Sequence, residues 1–201
     1  PDAARREMIE TIALESRRAG EIVRSLLSFS RSADTARGWV RLDDVVRRTV
    51  ALRVYDQRRN HIDVTTALSP DLPELWADPN QIQQVLLNLI VNAEHAIGSN
   101  GTIAIRAAAS NGSIELEVAD SGPGIPDDVL PHIFTPFFTT KGDGKGTGLG
   151  LPISREIIER HGGSVDVRNQ PEGGACFVIR LPAKAGGRSP DCEAAPAGGV
   201  A

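Results

Sequence analysis

Little in this sequence marks it for the cell exterior, a membrane or nucleic acid. Its 201 residues hold two cysteines, Cys176 and Cys192, with neither metal-type spacing nor a disulfide framework. That usage fits a reducing compartment, and the expected location is cytoplasmic. There is no basic excess: the net charge is -4, which leaves no electrostatic footprint for nucleic acid. No apolar run approaches a membrane span, and the longest, Val85 to Val91, is broken by Asn88. No signal peptide is present. The chain opens on Pro1 rather than Met and is read as a fragment, with room upstream for a membrane or sensor region. No internal repeat is visible. What remains is ordinary for a globular protein: 40% hydrophobic and 24% charged residues, enough for one sizeable core or a small core with an extension.

The first stretch lacks proline. Residues 3–31 hold a single glycine, Gly20, and read as one helix. Ile12, Ala19 and Leu26 recur at heptad spacing, as do Met8, Ile22 and Phe29, with Glu15 interrupting the second track. Such a helix would be roughly 43 Å long at 1.5 Å per residue. That length suits a bundle or coiled-coil arm; the plainer alternative is a terminal amphipathic helix packed on its own domain. A polar, small-residue stretch from Ser32 to Gly38 follows as a linker.

Beyond the linker the pattern alternates. Trp39-Val40-Arg41 is strand-like, and a helix is expected over 42–53. His61 to Leu68 reads as a strand. Asp78 can cap a strong helix with Pro79 at its first position, ending near Ile97 before Gly98. Residues 102–108 and 113–120 form a hairpin around Asn111-Gly112, the second strand alternating Ile114, Leu116 and Val118 with polar residues. Ser121 to Thr147 shows little regular pattern, and a loop that long usually serves as a lid or binding loop. A helix from Leu149 to His161 ends at Gly162-Gly163. Strands at 164–169 and 175–181 close the domain, and the Ala/Gly/Pro-rich end reads as disordered.

Three constellations could carry chemistry. Asn88 and Asn92 lie four apart, on one face of an otherwise apolar helix. Both can be satisfied by neighbouring backbone; equally, an Asn carbonyl is a hard oxygen ligand suited to Mg²⁺ with phosphate co-ligands. Asp120 ends a strand and opens the turn Asp120-Ser121-Gly122-Pro123-Gly124-Ile125. It is either a simple turn residue or an acceptor for an exocyclic amine such as adenine's, with Gly122 and Gly124 clearing space for a ring. Thr139-Thr140-Lys141 and Gly144 to Leu151 supply Lys141, Lys145 and a glycine run (Gly146, Gly148, Gly150) entering a helix, whose N-terminus favours anions. Two commoner nucleotide motifs are absent. Lys145 is followed by Gly146 rather than Ser or Thr, so this is no P-loop. The glycine spacing is not the dinucleotide fingerprint either.

In this order the blocks resemble the ATP-binding domain of sensor histidine kinases, within the GHKL (Bergerat-fold) ATPases. The N box is Gln84 to Ala93, the G1 box Asp120 to Ile125, the F box Ile133 to Lys141 and the G2 box Gly146 to Leu151. His161-Gly162-Gly163 and the closing Gly173 to Phe177 also fit. Ser28-Phe29-Ser30-Arg31 resembles the end of the second helix of the family's dimerisation hairpin, and Phe137-Phe138-Thr139-Thr140-Lys141 the wording of nitrogen-regulator and oxygen-sensor kinases.

The resemblance implies an α/β (α+β) two-layer sandwich, helices on one face of a mixed sheet, behind a helical arm. It implies a dimerisation helix over 1–33, a linker over 34–39, the ATPase domain over 40–183 and a disordered tail over 184–201. It implies Mg²⁺ and ATP as cofactors. Asn92 would coordinate Mg²⁺ and Asn88 would line the phosphate side. Asp120 would bond the adenine amine beside Gly122, Gly124 and Ile125. Lys141 and the backbone of Gly146, Thr147, Gly148, Leu149, Gly150 and Leu151 would hold phosphates. Residues 127–147 would form a lid, with Phe134, Phe137 and Phe138 anchoring it or meeting the dimerisation helices. The intact kinase would be a homodimer through the N-terminal helix and would pass phosphate from a His to a response regulator receiver domain; this fragment itself would touch neither nucleic acid nor membrane.

Two departures stand out. Ala175 takes the second glycine place of the last glycine box. And none of the four histidines, His61, His95, His132 and His161, lies on the N-terminal helix, so the phospho-acceptor is missing. Each of the four reads as structural or exposed. Two rivals stay open: another GHKL ATPase or serine kinase, which would carry a Glu about where Asn88 stands, and a non-catalytic ATP-binding or dimerisation module.

Overall fold

The computed structural model describes residues 5, 8, 9, 20, 37–141 and 146–183. The expected helix over 1–33 lies outside the described residues except for Arg5, Met8, Ile9 and Gly20, which are helical. The expected tail over 184–201 lies outside them as well.

Strand β1 (Gly38–Val40) begins inside the expected linker and pairs antiparallel with β3 (Leu75–Ala77). Three residues carry no readable alternation, so β3 was not legible; it exists because β1 lies beside it. Its Trp76 meets Trp39 edge-on, ring centres 5.2 Å apart, and both are partly exposed. Helix α1 (Leu42–Arg59) starts with Asp43 and Asp44 and ends with Arg58 and Arg59, each matching the helix dipole. It runs past the expected end at Arg53. The reason is tertiary: Arg53 and Gln57 both reach buried Glu94, with Arg53 Nη2 2.6 Å and Gln57 Nε2 3.1 Å from its carboxylate.

Strand β2 (Ile62–Leu68) leads, through β3, to helix α2 (Pro79–Ile97). Asp78 caps α2 by accepting from Asn80 N at 2.8 Å, as its position before Pro79 predicts. Strands β4 (Gly101–Ser110) and β5 (Ser113–Asp120) form the expected hairpin. Asn111 and Gly112 both have positive φ (49° and 76°), which suits the twist of a two-residue turn. One 3₁₀ turn (Leu130–His132) breaks the long loop. Helix α3 (Gly150–Arg160) and strands β6 (Ser164–Asn169) and β7 (Ala175–Pro182) complete the domain.

The five-stranded sheet has the order β2-β4-β5-β7-β6, with only β2 and β4 parallel. Helices α1, α2 and α3 pack on one face: α1 on β2, α2 on β4 and β5, α3 on β6. The two-layer sandwich with a mixed sheet is therefore the observed fold. The inner face carries Ile103, Ile105, Leu116, Val118, Phe177 and Ile179, all buried. The outer face carries charge. Glu117 pairs with Arg168 and Arg106, and Arg180 bridges Glu115 and Asp166. Exposed pairs of this kind add little stability each. Asp120 falls on the inner parity of β5. Its carboxylate is thus aimed between sheet and helices, where a lone carboxylate needs a reason.

Candidate functional site

The end of β5 opens one side of the site. Asp120 is buried, and its Oδ1 accepts from Gly122 N (2.9 Å) and Ala175 N (3.3 Å). Among the described residues its Oδ2 takes no hydrogen bond. Burial raises the carboxyl above the usual carboxylate range, and the two N–H groups oppose that rise. The result is a desolvated acceptor with one oxygen held and the other free. A side chain at Gly122 would meet Asp120 Oδ1 at 2.9 Å and Ala96 at 3.2 Å, so glycine is needed there. Gly124 has φ +80°. The Ala175 departure is absorbed by geometry. Ala175 opens β7 outside the positive-φ region, while Gly174 is the residue with no room, since a Cβ there would lie 1.8 Å from Asp120 O.

Helix α2 forms the second wall. The Asn88 amide donates to Gly150 O and Ser154 Oγ, both at 3.2 Å, which ties α2 to the start of α3. Part of the plainer reading of Asn88 is therefore correct, and only its carbonyl oxygen remains for a ligand. Asn92 Oδ1 accepts from Lys141 Nζ at 3.1 Å. The same ammonium lies 2.8 Å from His95 Nδ1. Burial lowers the Lys141 pKa from its ordinary value. Asn92 and Lys141 were expected to share the phosphate end, and they do meet. His95 reads as structural or exposed from the sequence, and it is exposed. Its signal was available: it lies three residues after Asn92 and seven after Asn88, on the same helical face.

The glycine run enters α3. Leu149 precedes the helix with no side-chain cap, so the N–H groups of the first turn are left for an anion. Gly148 has φ +66°, and a Cβ there would lie 2.4 Å from Phe137 C. Phe137 is itself left-handed at φ 65°, an uncommon state for a bulky residue, and donates its N–H to Gly148 O at 2.9 Å. The F box is thus locked to the G2 box at one strained point. Phe137 stays exposed, Phe138 lies beside His132, and Arg155 of α3 stacks 3.7 Å over Phe134. Gly144 and Lys145 lie outside the described residues.

His161 joins the two helices from behind. It is buried, its Nδ1 lies 2.7 Å from Ile157 O, and its Nε2 accepts from Asp78 N at 3.1 Å. The structural reading of this histidine is correct. Burial is the chief cause holding its imidazole below the ordinary histidine value. Among the described residues no helix is long and apolar enough to cross a membrane, and no His/Cys/Asp/Glu group could hold a metal by itself. A cation at Asn92 would need its other ligands from phosphate and water.

A buried carboxylate at the end of β5, an asparagine pair on α2 and an uncapped helix N-terminus at α3 are thus the polar groups that these elements offer a ligand. The chain belongs to the histidine kinase-, DNA gyrase B-, and HSP90-like ATPase family, whose model matches residues 77–185. Within it the relatives are sensor histidine kinases. The chain is 38% identical to the sensor histidine kinase ZraS of Escherichia coli K12 over 176 residues, 88% of this chain and 37% of that protein. It is 36% identical to the sensor protein FixL of Bradyrhizobium diazoefficiens, over 87% of this chain and 35% of that protein. The chain thus spans little more than a third of these curated relatives. The nucleotide-free catalytic domain of histidine kinase ThkA superposes with a TM-score of 0.69 at 36% identity, covering 75% of this chain and 97% of that one. A second ThkA structure, in complex with the response regulator protein TrrA, gives 0.73 at 33% identity, covering 86% of this chain and 49% of that one.

Proposed function

We propose that this chain is the ATP-binding catalytic region of a sensor histidine kinase, which binds Mg-ATP and passes the γ-phosphate to a histidine on a dimerisation hairpin, for relay to an aspartate of a response regulator. The observation that carries it is Asp120, a buried carboxylate with one oxygen held by Gly122 and Ala175 and the other left for a donor. An adenine amine is such a donor, and Gly122 and Gly124 keep the neighbouring space free of side chains, with Ile125 beside them.

The residues at the other end fit a metal-bound polyphosphate. Asn92 Oδ1 already has a cation, the Lys141 ammonium, lying against it. Mg²⁺ would supply charge neutralisation there, with Asn92 as protein ligand. Asn88 offers its remaining carbonyl oxygen to the phosphate side. Lys141 and the amides of Gly146, Thr147, Gly148, Leu149, Gly150 and Leu151 supply positive charge and N–H donors. Phosphoryl transfer asks for little covalent help from protein, so these groups act by positioning and charge stabilisation. None of the four histidines precedes residue 61, so the acceptor comes from outside these 201 residues. The response regulator as partner is supported by the ThkA complex. Dimerisation is proposed to run through the N-terminal segment, and a cytoplasmic placement of this region fits its composition.

The missing acceptor favours one second reading: an ATP-binding module without transfer. One experiment separates the two. The chain is mixed with Mg-ATP labelled at the γ-phosphate and a separately supplied dimerisation hairpin that carries an acceptor histidine. Acid-labile label on the hairpin supports the kinase; tight ATP binding with no transfer leaves only the module.

A further inference from the structure

Gly122 to Pro126 is the stretch beside the expected base, and no sheet ladder holds it. Pro123 and Pro126 have no N–H to donate. Among the described residues, the backbone of Ile125 is held by one partner alone, the Asn169 side chain. Asn169 Oδ1 accepts from Ile125 N at 2.8 Å and Asn169 Nδ2 donates to Ile125 O at 2.6 Å. A planar carboxamide is one of the few side chains that offers an acceptor and a donor side by side. It therefore imitates one rung of a β-ladder across a gap that the strands do not fill.

The next residue does the matching task at Asp120. Gln170 Nε2 donates to Asp120 O at 2.8 Å. The Gln170 backbone closes its own turn, accepting from Gly173 N at 3.0 Å and donating to Gly174 O at 2.8 Å. The turn then rides directly on Asp120, with Gly174 too close for any side chain and Ala175 N on the carboxylate. Two adjacent side chains at the end of β6 thus grip both ends of the base loop, Asp120 and Ile125. Core packing does not need this arrangement, because Asn169 is exposed.

We infer that Asn169 and Gln170 are positioning residues for recognition of the adenine amine: together they set the direction of Asp120 and the path of the Gly122–Ile125 backbone. The inference rests on the base role proposed for Asp120. Its consequence is specific. Loosening the grip costs the contact to the amine and leaves the phosphate contacts of α2 and α3 in place.

The test uses the full chain with Mg²⁺ and two ligands: ATP, and purine riboside 5′-triphosphate, which is ATP without its exocyclic amine. Each dissociation constant is measured for wild type, Asn169→Ala, Asn169→Ser and Gln170→Met. In wild type the amine should be worth about ten- to a hundredfold in affinity, the range of a hydrogen bond to a charged group. In the Asn169 variants that preference should fall to within about threefold, mostly by weaker ATP binding, with the analogue bound nearly as before. Gln170→Met should show the same trend, less strongly. Retained binding of the analogue reports that each variant is folded. A merely structural role would weaken both ligands together and keep their ratio, and that result overturns the inference, as does unchanged binding of both. If wild type itself shows no preference and Asp120→Asn is silent, the base role of Asp120 falls and this inference with it. If Asp120→Asn abolishes the preference while the Asn169 and Gln170 variants keep it, the inference alone is lost.

Discussion

Asp120 sits at a strand end and takes bonds from Gly122 on its own turn and from Gln170 and Ala175 at the turn between β6 and β7. Asn92 sits within a helix, and its oxygen meets one long, movable side chain, Lys141. The proposed base end and the proposed phosphate end thus differ in kind. The base end is assembled by contacts within the protein, so a desolvated acceptor is aimed before any ligand arrives. The phosphate end is a set of charges and bare N–H groups with exchangeable partners. The proposed ligand accounts for the difference. Recognising one amine demands direction, since a misaligned hydrogen bond is worth little. Holding a polyphosphate demands charge, which tolerates rearrangement.

The largest effect expected is at the base end. Gly174→Ala places a Cβ 1.8 Å from Asp120 O at φ +88°. Strain of this kind costs about 1–3 kcal/mol before the clash is counted. ATP binding should vanish and the thermal midpoint should drop, both read on the same sample by titration and melting. Normal binding would show that the base end is not rigid after all.

Asn92→Ala tests the other end. Transfer to a supplied hairpin should fall to background in Mg²⁺, while Mg-free ATP binding changes little. A variant that still transfers at the wild-type rate would remove Asn92 from the metal role.

Asp120→Asn should weaken ATP by about ten- to a hundredfold, because a charge-assisted bond is worth about 1.5–3 kcal/mol. It should not lower the thermal midpoint. Burial raises this carboxyl in the fold, so its ionised form is disfavoured there relative to the unfolded chain. The folded state then binds more protons, and the group's contribution declines as pH rises from the ordinary carboxylate value through the raised one. A buried charge held at a cost to stability is what a binding role explains. An Asn variant that binds ATP as wild type does would sink that explanation.

The smallest effect is a pH trend at His161, which ties the end of α3 to the start of α2. Burial holds His161 below its ordinary pKa. The unfolded chain therefore binds the proton first, and stability from this group is full above the ordinary histidine pKa and declines as pH falls through it. Protonated, His161 could no longer accept from Asp78 N. The melting temperature of wild type should fall more steeply between about pH 7.5 and 5.5 than that of His161→Gln, a window set by the ordinary histidine pKa. Parallel curves would remove His161 as the cause.

Much was legible without coordinates because local rules dominate much of this chain. Asp78-Pro79 set the start of α2, Asn111-Gly112 the hairpin, and the alternation of Ile114, Leu116 and Val118 the buried face of β5. These depend on cap chemistry, turn conformation and side-chain period, all read from neighbours in sequence. The order of the glycine blocks pointed to the ATPase family by resemblance, and those glycines do mark places where backbone or side chain comes too close for a Cβ, as at Gly122, Gly148 and Gly174.

The rest was decided by the packed chain. Strand β3 exists because β1 lies beside it. Helix α1 runs on to Arg59 because Glu94, 41 residues beyond Arg53, needs partners in a buried place. His95 finds Lys141 from 46 residues away, and Asn169 finds Ile125 from 44. No local pattern encodes such meetings, since a side chain's partner across space is set by strand order and helix packing. The sequence determined which residues could serve a nucleotide. Only the tertiary structure decided which are held ready, and by what.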